Sequence, residues 1–545
     1  MTDAAVPVSK AVAWRRRGLA VLAGLLAALA HPPFGILPGL LAYGWLMYLW
    51  DRPDAPRPLR SAFLTGWLAG VGYFGLGVWW VAEAFLVDAA NQGWMAPFAV
   101  AALAGGLSLF WGVAGVIYRA LAPKGPLRVL VFAGALAGME WLRGHVLTGF
   151  PWNLPGETWA AGSAPSQAAA MVGAYGLTWI TLAIAAGLTV VLEGAKGRNV
   201  ARIAVAVLAG LYLGGSLILM RPAPEGSGVT VRIVQPNIPQ ESKYDAAAFS
   251  SIVDRYLTLT ERPPQQKGAK VADVVIWPEG AIPAAANDYL APGTWTRRAI
   301  AGALGHNQTL LVGAYRVESG GAKADVYYNS LIAVGWGEET LEVKGVYDKH
   351  RLVPGGEFLP FDALWEKLGI KTLVHVGDGF TPGPRPQPLV LPGLPTLQPL
   401  ICYESLFPGL VQSVAPGTGG ADVGTRPLWI VNVSNDAWFG ATSGPLQHLN
   451  LASYRAIEGG LPMVRATPTG VSAMIDAHGR TIARLEPGQV GVIDAALPAA
   501  GGPTLFSRIG DAALAVMLLI SAALTAPVVR LNGRRGGALK LSREA

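Results

Sequence analysis

Long apolar runs fill the N-terminal part of the chain. Seven of them approach the roughly 20 residues that a helix needs to cross a bilayer, and an eighth follows a more polar middle block. We predict one spanning helix from each run, at residues 18–31, 35–50, 62–82, 95–118, 127–142, 169–192, 201–220 and 511–529. The first two runs are short and are separated by His31-Pro32-Pro33-Phe34-Gly35, which predicts a tight helical hairpin. An alternative for the first run is a cleaved signal peptide, because Arg15-Arg16-Arg17 precedes it and Ala28-Leu29-Ala30 resembles a cleavage site.

Residues 228–498 show a different pattern, in which short apolar stretches alternate with polar or Gly/Pro turns. Several stretches are almost wholly apolar, as expected for strands whose two faces are both covered. The predicted strands are residues 229–234, 271–277, 309–314, 330–334, 399–402, 429–433, 471–475 and 491–494, and residues 246–261 and 294–304 have helix-like composition. This pattern predicts an α/β layered sandwich of about 270 residues.

Composition separates the same two regions. Of the 545 residues, 52% are hydrophobic and only 14% are charged, whereas soluble domains carry about 25% charged residues, which disfavours an ordinary soluble enzyme. Charged residues make up about 11% of residues 1–227 but about 17% of residues 228–498. The predicted architecture is an α-helical membrane domain of about eight transmembrane helices with an α/β domain. Its parts are seven helices in 1–227, the α/β domain in 228–498, and a last transmembrane helix with a tail in 499–545.

The distribution of Lys and Arg predicts the orientation, because these residues favour the cytoplasmic ends of membrane spans. With eight spans and a cytoplasmic N-terminus, eighteen Lys and Arg residues fall in the cytoplasmic segments, whereas the short segments on the opposite side carry only Arg143, Arg221 and Arg508. We therefore expect both termini in the cytoplasm and residues 228–498 outside it. The net charge of +7 is mainly a topology signal, and it gives no support to a nucleic-acid partner.

Three candidate reactive side chains follow predicted strands, where α/β enzymes collect catalytic groups. They lie in the motifs Trp277-Pro278-Glu279-Gly280, Tyr347-Asp348-Lys349-His350-Arg351 and Ile401-Cys402-Tyr403-Glu404. Taken singly, Glu279 reads as a surface carboxylate, Lys349 as part of a solvated charge run, and Cys402 as a small buried hydrophobe. Together they supply a base, an oxyanion-stabilising cation and a thiol nucleophile, which acyl transfer through a thioester needs. Because Cys402 is the only cysteine, an internal disulfide framework and a multi-cysteine metal site are both excluded.

The order of Glu, Lys and Cys in these motifs resembles the carbon-nitrogen hydrolase (nitrilase) superfamily, whose domain is an αββα sandwich. The match covers roughly residues 228–498. Within that superfamily, the eight flanking spans and residues 140–144, 148–152 and 435–440 look like the apolipoprotein N-acyltransferase family. This resemblance covers nearly the whole chain, and it implies a bacterial inner-membrane enzyme whose catalytic domain faces the periplasm.

The resemblance implies N-acylation by a ping-pong reaction that uses no cofactor or metal. Cys402 would attack the sn-1 ester of a phospholipid such as phosphatidylethanolamine to form a thioester. The acyl chain would then pass to the α-amine of the diacylglyceryl-cysteine of an apolipoprotein, in the last step of lipoprotein maturation. In this scheme Glu279 is the general base and Lys349 stabilises the oxyanion.

The resemblance also implies supporting residues. Glu357, eight residues beyond Lys349, matches a glutamate that orients the lysine or the base. The other supporting candidates are Tyr403, Glu404 and Asn329, and the candidate lipid contacts are Trp438, Tyr244 and Phe358. Plain packing explains Tyr403 equally well. Two departures from the family pattern, Gly355 where Phe is common and Tyr244 where Trp is frequent, affect the expected acyl-pocket contacts rather than the chemistry.

Residues 358–374 have the apolar and aromatic content of a lipid-entry loop, and a core helix of the sandwich explains them equally well. Two other functions stay open at this point. A membrane-tethered amidase or nitrilase would use the same three residues with water as the second nucleophile. A non-catalytic scaffold or transporter would carry a degenerate hydrolase domain, but the three residues are intact. Few ionisable residues lie within the spans to mark a transport path, and Glu83 and Glu140 lie near span ends.

Overall fold

Two compact units make up the chain. The computed structural model describes residues 10–53, 56–222, 226–264, 268–321, 324–358, 379–412 and 426–541, with side chains described as far as residue 526. One unit consists of Met1–Arg221 together with Thr504–Ala545, and the other consists of Pro222–Pro503.

The first unit is helical. Its helices are α1 (Lys10–Leu29), α2 (Leu41–Asp51), α3 (Pro58–Gly77), α4 (Val81–Leu86), α5 (Ala89–Gln92), α6 (Ala96–Leu121), α7 (Arg128–Arg143), α8 (Ala169–Thr189), α9 (Gly194–Leu219), α14 (Leu505–Ile509) and α15 (Ala512–Leu541). A helix overlaps each of the eight predicted spans.

Membrane-spanning character is clear for part of this helical unit. Within the described chain, three segments are long and apolar enough to cross a membrane: Ala89–Leu121, Pro165–Leu192 and Gly194–Leu219. Ala512–Ala526 is a shorter apolar helix. The length and composition of these helices support a helical membrane unit, whereas the total of eight spans stays a prediction.

Glycine lets helices α1 and α3 pack backbone against backbone. A Cβ on Gly24 of α1 would lie 1.8 Å from the carbonyl oxygen of Ala69, and one on Gly72 of α3 would lie 2.2 Å from that of Val21. In lipid, helices associate largely through such close packing, so small residues are enriched where they touch. These two glycines therefore set the separation of α1 and α3.

Glu140, one of the two ionisable residues near predicted span ends, is buried at the end of α7. Its carboxylate forms an ion pair with Arg143 and accepts a hydrogen bond from Trp111 Nε1 at 2.7 Å. Arg143 also donates to the Phe150 carbonyl. A buried ion pair holds its geometry only when its remaining polar atoms are satisfied in this way. Glu140 is thus a paired structural group of this unit.

The second unit contains two β-sheets. Its strands are β1 (Thr230–Gln235), β2 (Val274–Trp277), β3 (Thr309–Glu318), β4 (Val326–Trp336), β5 (Leu341–Asp348), β6 (Leu397–Ile401), β7 (Trp429–Val433), β8 (Met463–Ala466), β9 (Ser472–Ile475), β10 (Thr481–Leu485) and β11 (Gly491–Ala496). Its helices are α10 (Phe249–Glu261), α11 (Ala286–Tyr289), α12 (Trp295–Ala303) and α13 (Gly444–Gly459). The eight predicted strands and two predicted helices are present, and β5, β8, β10, α11 and α13 are additional.

The six-stranded sheet has the order β11-β1-β2-β3-β4-β5, and the five-stranded sheet has the order β10-β9-β8-β7-β6. Alternate residues of the first sheet face opposite ways, as strand geometry requires. Ile276 lies in a core shared with Ile401 of the second sheet, whereas Val275 lies in a core shared with Ile252 of α10 and Ile300 of α12. The first sheet is therefore covered by the second sheet on one face and by helices on the other, which confirms the predicted sheets and helices of an α/β domain.

Parallel pairing brings several strand ends to one edge. In the first sheet β1, β2 and β3 are parallel, and in the second sheet β6, β7 and β8 are parallel. The carboxyl ends of parallel neighbours lie side by side, which is where α/β folds place their ligands. The residues after β2, β6 and β7 are therefore candidates for a shared site.

We expect Gly24→Ala to lower the melting temperature of the purified full-length protein, because the new methyl group would force α1 away from α3. Such overpacking typically costs about 1–3 kcal/mol. Gly18→Ala is the matched control on the same helix, because nothing lies within 4 Å of a Cβ at that position. Equal melting temperatures for the two variants would contradict this account of the α1–α3 contact.

Candidate active site

Glu279 lies just beyond the end of β2, and a tight crossing with β3 fixes its position. A Cβ on Gly313 of β3 would lie 2.5 Å from the Cα of Glu279, so only glycine leaves room for the backbone there. The Ala281 amide donates to the Gly313 carbonyl at 3.0 Å, which holds the turn against β3. The Glu279 side chain is buried, and its Oε2 accepts a hydrogen bond from the Asn435 amide at 2.7 Å.

Lys349 is held between two carboxylates. It follows β5, and its Nζ lies 3.3 Å from Glu279 Oε1 and 2.9 Å from the carboxylate of Glu357. Asn329 on β4 bridges the same two acids, because its Nδ2 donates at 2.7 Å to Oε1 of each. The second oxygen of Glu357 accepts from the Val353 amide at 2.8 Å. The structure thus brings together four residues that the sequence nominated.

Cys402 completes this group from the other sheet. It stands directly after β6, at the start of a short 3-10 turn over Cys402–Leu406, with a φ of +49°. A left-handed backbone is uncommon for a residue with a side chain, and it turns the thiol away from the strand direction. The thiol lies close enough to the Glu279 carboxylate and to the Ser434 hydroxyl for both groups to act on its pKa.

Burial and charge set the protonation states of these three groups. Burial raises the pKa of the Cys402 thiol to about 12, with the charge of Glu279 adding to the effect and Lys349 opposing it. Burial would raise the pKa of Glu279, but Lys349, Asn329, the thiol and the Asn435 amide outweigh it and lower that pKa below its ordinary value. Burial alone would lower the pKa of Lys349, yet the two carboxylates raise it. The resting site therefore holds a carboxylate, an ammonium and a neutral thiol.

Glu404 joins the turn at Cys402 to the segment that carries Lys349. Its Oε2 accepts from the Ile401 amide at 2.7 Å, and its Oε1 accepts from the Tyr347 hydroxyl and the His350 amide, each at 2.8 Å. Burial raises the pKa of this carboxyl, although the hydrogen bonds it accepts oppose the shift. These hydrogen bonds tie the Cys402 turn to the Lys349 segment, and the supporting role nominated for Glu404 stays a prediction.

A second buried polar network lies behind Cys402, and the sequence did not nominate its members. His448 on α13 has Nδ1 3.0 Å from Asp436 Oδ1, and its Nε2 lies 3.1 Å from the Ser405 hydroxyl and 3.3 Å from the Cys402 carbonyl. Arg465 on β8 donates to both oxygens of Asp436 at 2.8 and 2.9 Å. All three side chains of this network are fully buried.

Charge pairing sets the protonation states in this network. Burial would raise the pKa of Asp436, but Arg465 and His448 lower it well below its ordinary value. Burial and Arg465 lower the pKa of His448. For Asp436 the sequence carried one usable signal, because this residue follows the predicted strand 429–433; the structure shows that β7 pairs in parallel with β6, which brings the residues after β7 beside Cys402. His448 and Arg465 are distant in sequence and had no such signal.

Four more residues were nominated from the sequence, namely Tyr403, Trp438, Tyr244 and Phe358. Tyr403 is buried with its ring 5.1 Å from that of Phe407, and Trp438 is half-buried in the 3-10 turn Asp436–Phe439. Tyr244 is 69% exposed, and its hydroxyl accepts from Gln240 Nε2 at 3.4 Å. Phe358 is half-buried, and the rest of the predicted lipid-entry loop, residues 359–374, lies outside the described residues. The lipid contacts of Trp438, Tyr244 and Phe358 stay predictions.

Within the described part of the chain, no group of three or more His, Cys, Asp or Glu side chains is arranged to hold a metal ion. The chemistry that the described groups can supply is proton transfer by Glu279, charge stabilisation by Lys349 and nucleophilic attack by Cys402.

Comparison of the sequence with known proteins shows to which family the chain belongs. Residues 230–502 match the carbon-nitrogen hydrolase family, and residues 23–187 match the N-terminal domain of apolipoprotein N-acyltransferase. The apolipoprotein N-acyltransferase of Caulobacter vibrioides is 58% identical over 94% of this chain and 95% of its own length. The chain belongs to the apolipoprotein N-acyltransferase family. It is therefore an acyltransferase of the carbon-nitrogen hydrolase superfamily.

More distant members of the apolipoprotein N-acyltransferase family align over the same extent. The protein of Bradyrhizobium diazoefficiens is 40% identical over 94% of each chain. That of Rhodopseudomonas palustris is 39% identical over 93% of this chain and 94% of its own. The carbon-nitrogen hydrolase match contains all three reactive residues, and the N-terminal match covers helices from α1 to α8.

The raised thiol pKa predicts unusual alkylation behaviour. We expect the rate at which iodoacetamide alkylates Cys402 in the folded protein to show no inflection between pH 8 and 9, because the thiolate does not accumulate until near pH 12. Intact-mass spectrometry measures this directly, since the chain has one cysteine. The same protein in denaturant is the control and should show an inflection near the ordinary thiol pKa of about 8.5. An inflection near pH 8.5 in the folded protein would contradict the assignment.

The network behind Cys402 predicts a loss of stability when its carboxylate is removed. We expect Asp436→Asn to cost about 3–5 kcal/mol, because Arg465 would keep a buried charge without a counter-charge. Glu318→Gln is the matched control, because Glu318 is 54% exposed in its pair with Arg316 and such pairs contribute about 1 kcal/mol or less. Denaturant unfolding of the full-length protein measures both, and equal midpoints would disprove the structural role of Asp436.

Proposed function

We propose that this acyltransferase transfers an acyl chain from a phospholipid, through a thioester on Cys402, to the N-terminal diacylglyceryl-cysteine of apolipoproteins. The observation that carries the proposal is the Glu279 carboxylate, which contacts both the Cys402 thiol and the Lys349 ammonium in one buried site. The apolipoprotein N-acyltransferases among its relatives support the acceptor. Our proposal adds the phospholipid donor and the thioester.

In the first half-reaction, Glu279 takes the proton of the Cys402 thiol as the sulfur attacks the carbonyl carbon of the sn-1 ester. The resulting tetrahedral intermediate carries a negative oxygen. When it collapses, the bond to the glycerol oxygen breaks, and Glu279 returns the proton to that oxygen. Lysophospholipid leaves, and the acyl chain remains as a thioester on Cys402.

Lys349 is suited to stabilise the negative oxygen. An ammonium has three N–H donors, and its contacts with Glu279 and Glu357 use two of them. The third donor can serve a new oxygen, and the Cys402 thiol lies close enough for its charge to influence the pKa of Lys349. Because Asn329 and Glu357 hold the ammonium in place, it needs little reorganisation when charge develops.

In the second half-reaction, the α-amine of the diacylglyceryl-cysteine attacks the thioester carbonyl. Glu279 accepts a proton from the amine as the new amide forms, the bond to sulfur breaks, and the thiolate recovers its proton from Glu279. The cycle returns Cys402 to its resting thiol and needs no oxidant, reductant or metal.

We also propose the location of this reaction. The charge asymmetry of the chain supports a multi-pass protein of the bacterial inner membrane with cytoplasmic termini and residues 228–498 in the periplasm. The apolar helices support the membrane part of this proposal. Both substrates are membrane lipids, so a catalytic domain tethered to the bilayer meets them without extracting either one.

We expect Cys402→Ala to abolish acyl transfer and Glu279→Gln to lower kcat/KM by roughly 10²–10⁴-fold, the usual contribution of a general base. Mass spectrometry of a synthetic diacylated lipopeptide incubated with the purified enzyme and phosphatidylethanolamine measures the product. Glu318→Gln should react like the wild type, because that carboxylate is exposed and pairs with Arg316.

Three results would contradict the proposal. Wild-type-like acylation by Cys402→Ala would show that Cys402 is not the nucleophile. Release of ammonia from small amides without lipopeptide acylation would favour an amidase. Transport of a substrate that survives the loss of Cys402 would favour a transporter.

A further inference from the structure

One lysine has its ammonium nitrogen buried beside the catalytic group, without a hydrogen-bond partner among the described residues. Lys243 lies in the 3-10 turn Glu241–Tyr244, and its Nζ is buried without a hydrogen bond. The other three lysines that the structure describes in residues 222–503 each pair with a carboxylate: Lys270 with Asp273, Lys344 with Glu342, and Lys349 with Glu279 and Glu357. A buried ammonium without an acceptor is unfavourable unless a ligand supplies one.

The ammonium of Lys243 points to the catalytic group. A Cβ on Gly280 would lie 3.5 Å from Lys243 Nζ, and Gly280 directly follows Glu279. The turn that carries Lys243 is anchored from the same side, because Asn435 Nδ2 donates to Gln240 Oε1 at 2.8 Å. The Asn435 amide in turn donates to Glu279. Lys243 is therefore held at the wall of the site that contains Glu279.

Glu279 does not supply the missing acceptor. Its Oε1 accepts from Asn329 and Lys349, and its Oε2 accepts from the Asn435 amide. Burial lowers the pKa of Lys243 to about 8, and the charge of Glu279 opposes that shift, so the ammonium is the main form at neutral pH. Among the described residues, no atom accepts a hydrogen bond from Lys243 Nζ, so this cation is available to a ligand that brings an anionic oxygen.

We propose that Lys243 forms a phosphate subsite that binds the phosphodiester of the acyl donor while Cys402 attacks its ester. This inference rests on the proposed function. Of the two substrates in that scheme, only the donor carries an anion near its reacting bond, because its phosphate lies a few bonds from the sn-1 ester. The reacting group of the acceptor is an amine, which an ammonium repels.

The test compares two acyl donors with identical chains, phosphatidylethanolamine and 1,2-diacylglycerol, which lacks the phosphate. The rate at which each acylates Cys402 is followed by intact-mass spectrometry of the full-length protein in phosphate-free buffer without an acceptor. The wild type should prefer the phospholipid by roughly tenfold to a hundredfold, the value of a charge-assisted hydrogen bond. Lys243→Met should bring this ratio close to one, and Lys243→Arg should retain most of it. Lys270→Met is the control, because Lys270 is exposed in its pair with Asp273, and it should leave the ratio unchanged.

Several outcomes would overturn the assignment. A ratio that persists in Lys243→Met, or an equal loss with both donors, would show that Lys243 serves the fold rather than the phosphate. Stimulation of the diacylglycerol reaction by inorganic phosphate, lost in Lys243→Met, would assign the subsite to the free anion instead of the lipid. If the wild type forms no adduct from either donor, the proposed function itself is wrong and the subsite is overturned with it.

Discussion

A buried carboxylate that stays charged is the constraint on which the catalytic arrangement depends. Glu279 is removed from water, and burial alone would favour its neutral form. The ammonium of Lys349, the amide of Asn329 and the backbone N–H of Asn435 reverse that preference. Asn329 lies near the start of β4, whereas Lys349 and Asn435 follow the ends of β5 and β7, so the fold must bring these three strands beside β2 before Glu279 can stay charged.

The same constraint explains why the cysteine rests as a thiol. Burial disfavours a thiolate at Cys402, and the negative charge of Glu279 adds to that cost, so the thiol keeps its proton in the resting site. In the proposed mechanism, Glu279 takes this proton only when the sulfur attacks an acyl group. Two buried networks hold the cysteine in its left-handed turn: Glu404 ties it to the segment of Lys349, and the Asp436–His448–Arg465 group supports the turn from behind. Preorganised dipoles and charges of this kind account for much of the catalytic power of enzymes.

Sequence reasoning located the elements and the reactive residues because their signals are local. Apolar runs predicted β6 and β7, and the residues that follow them were the right place to look for chemistry. Strands β5 and β10 were not predicted from the sequence, because buried and exposed residues are mixed along them. Strand β8 was not predicted because it is short and contains Arg465. His448 and Lys243 could not have been recognised from the sequence, since one takes its role from contacts with distant strand ends and the other from the absence of a partner among its described neighbours.

The central claim is that the acyl chain passes through Cys402 on its way to the lipoprotein. The most direct measurement is a chase in which the wild-type protein is first acylated with an isotope-labelled phospholipid, separated from the donor, and then mixed with a diacylated lipopeptide. The account predicts that label disappears from Cys402 and appears on the amino terminus of the lipopeptide in equal amounts. Label that stays on Cys402, or that is lost to water without appearing on the lipopeptide, would contradict it.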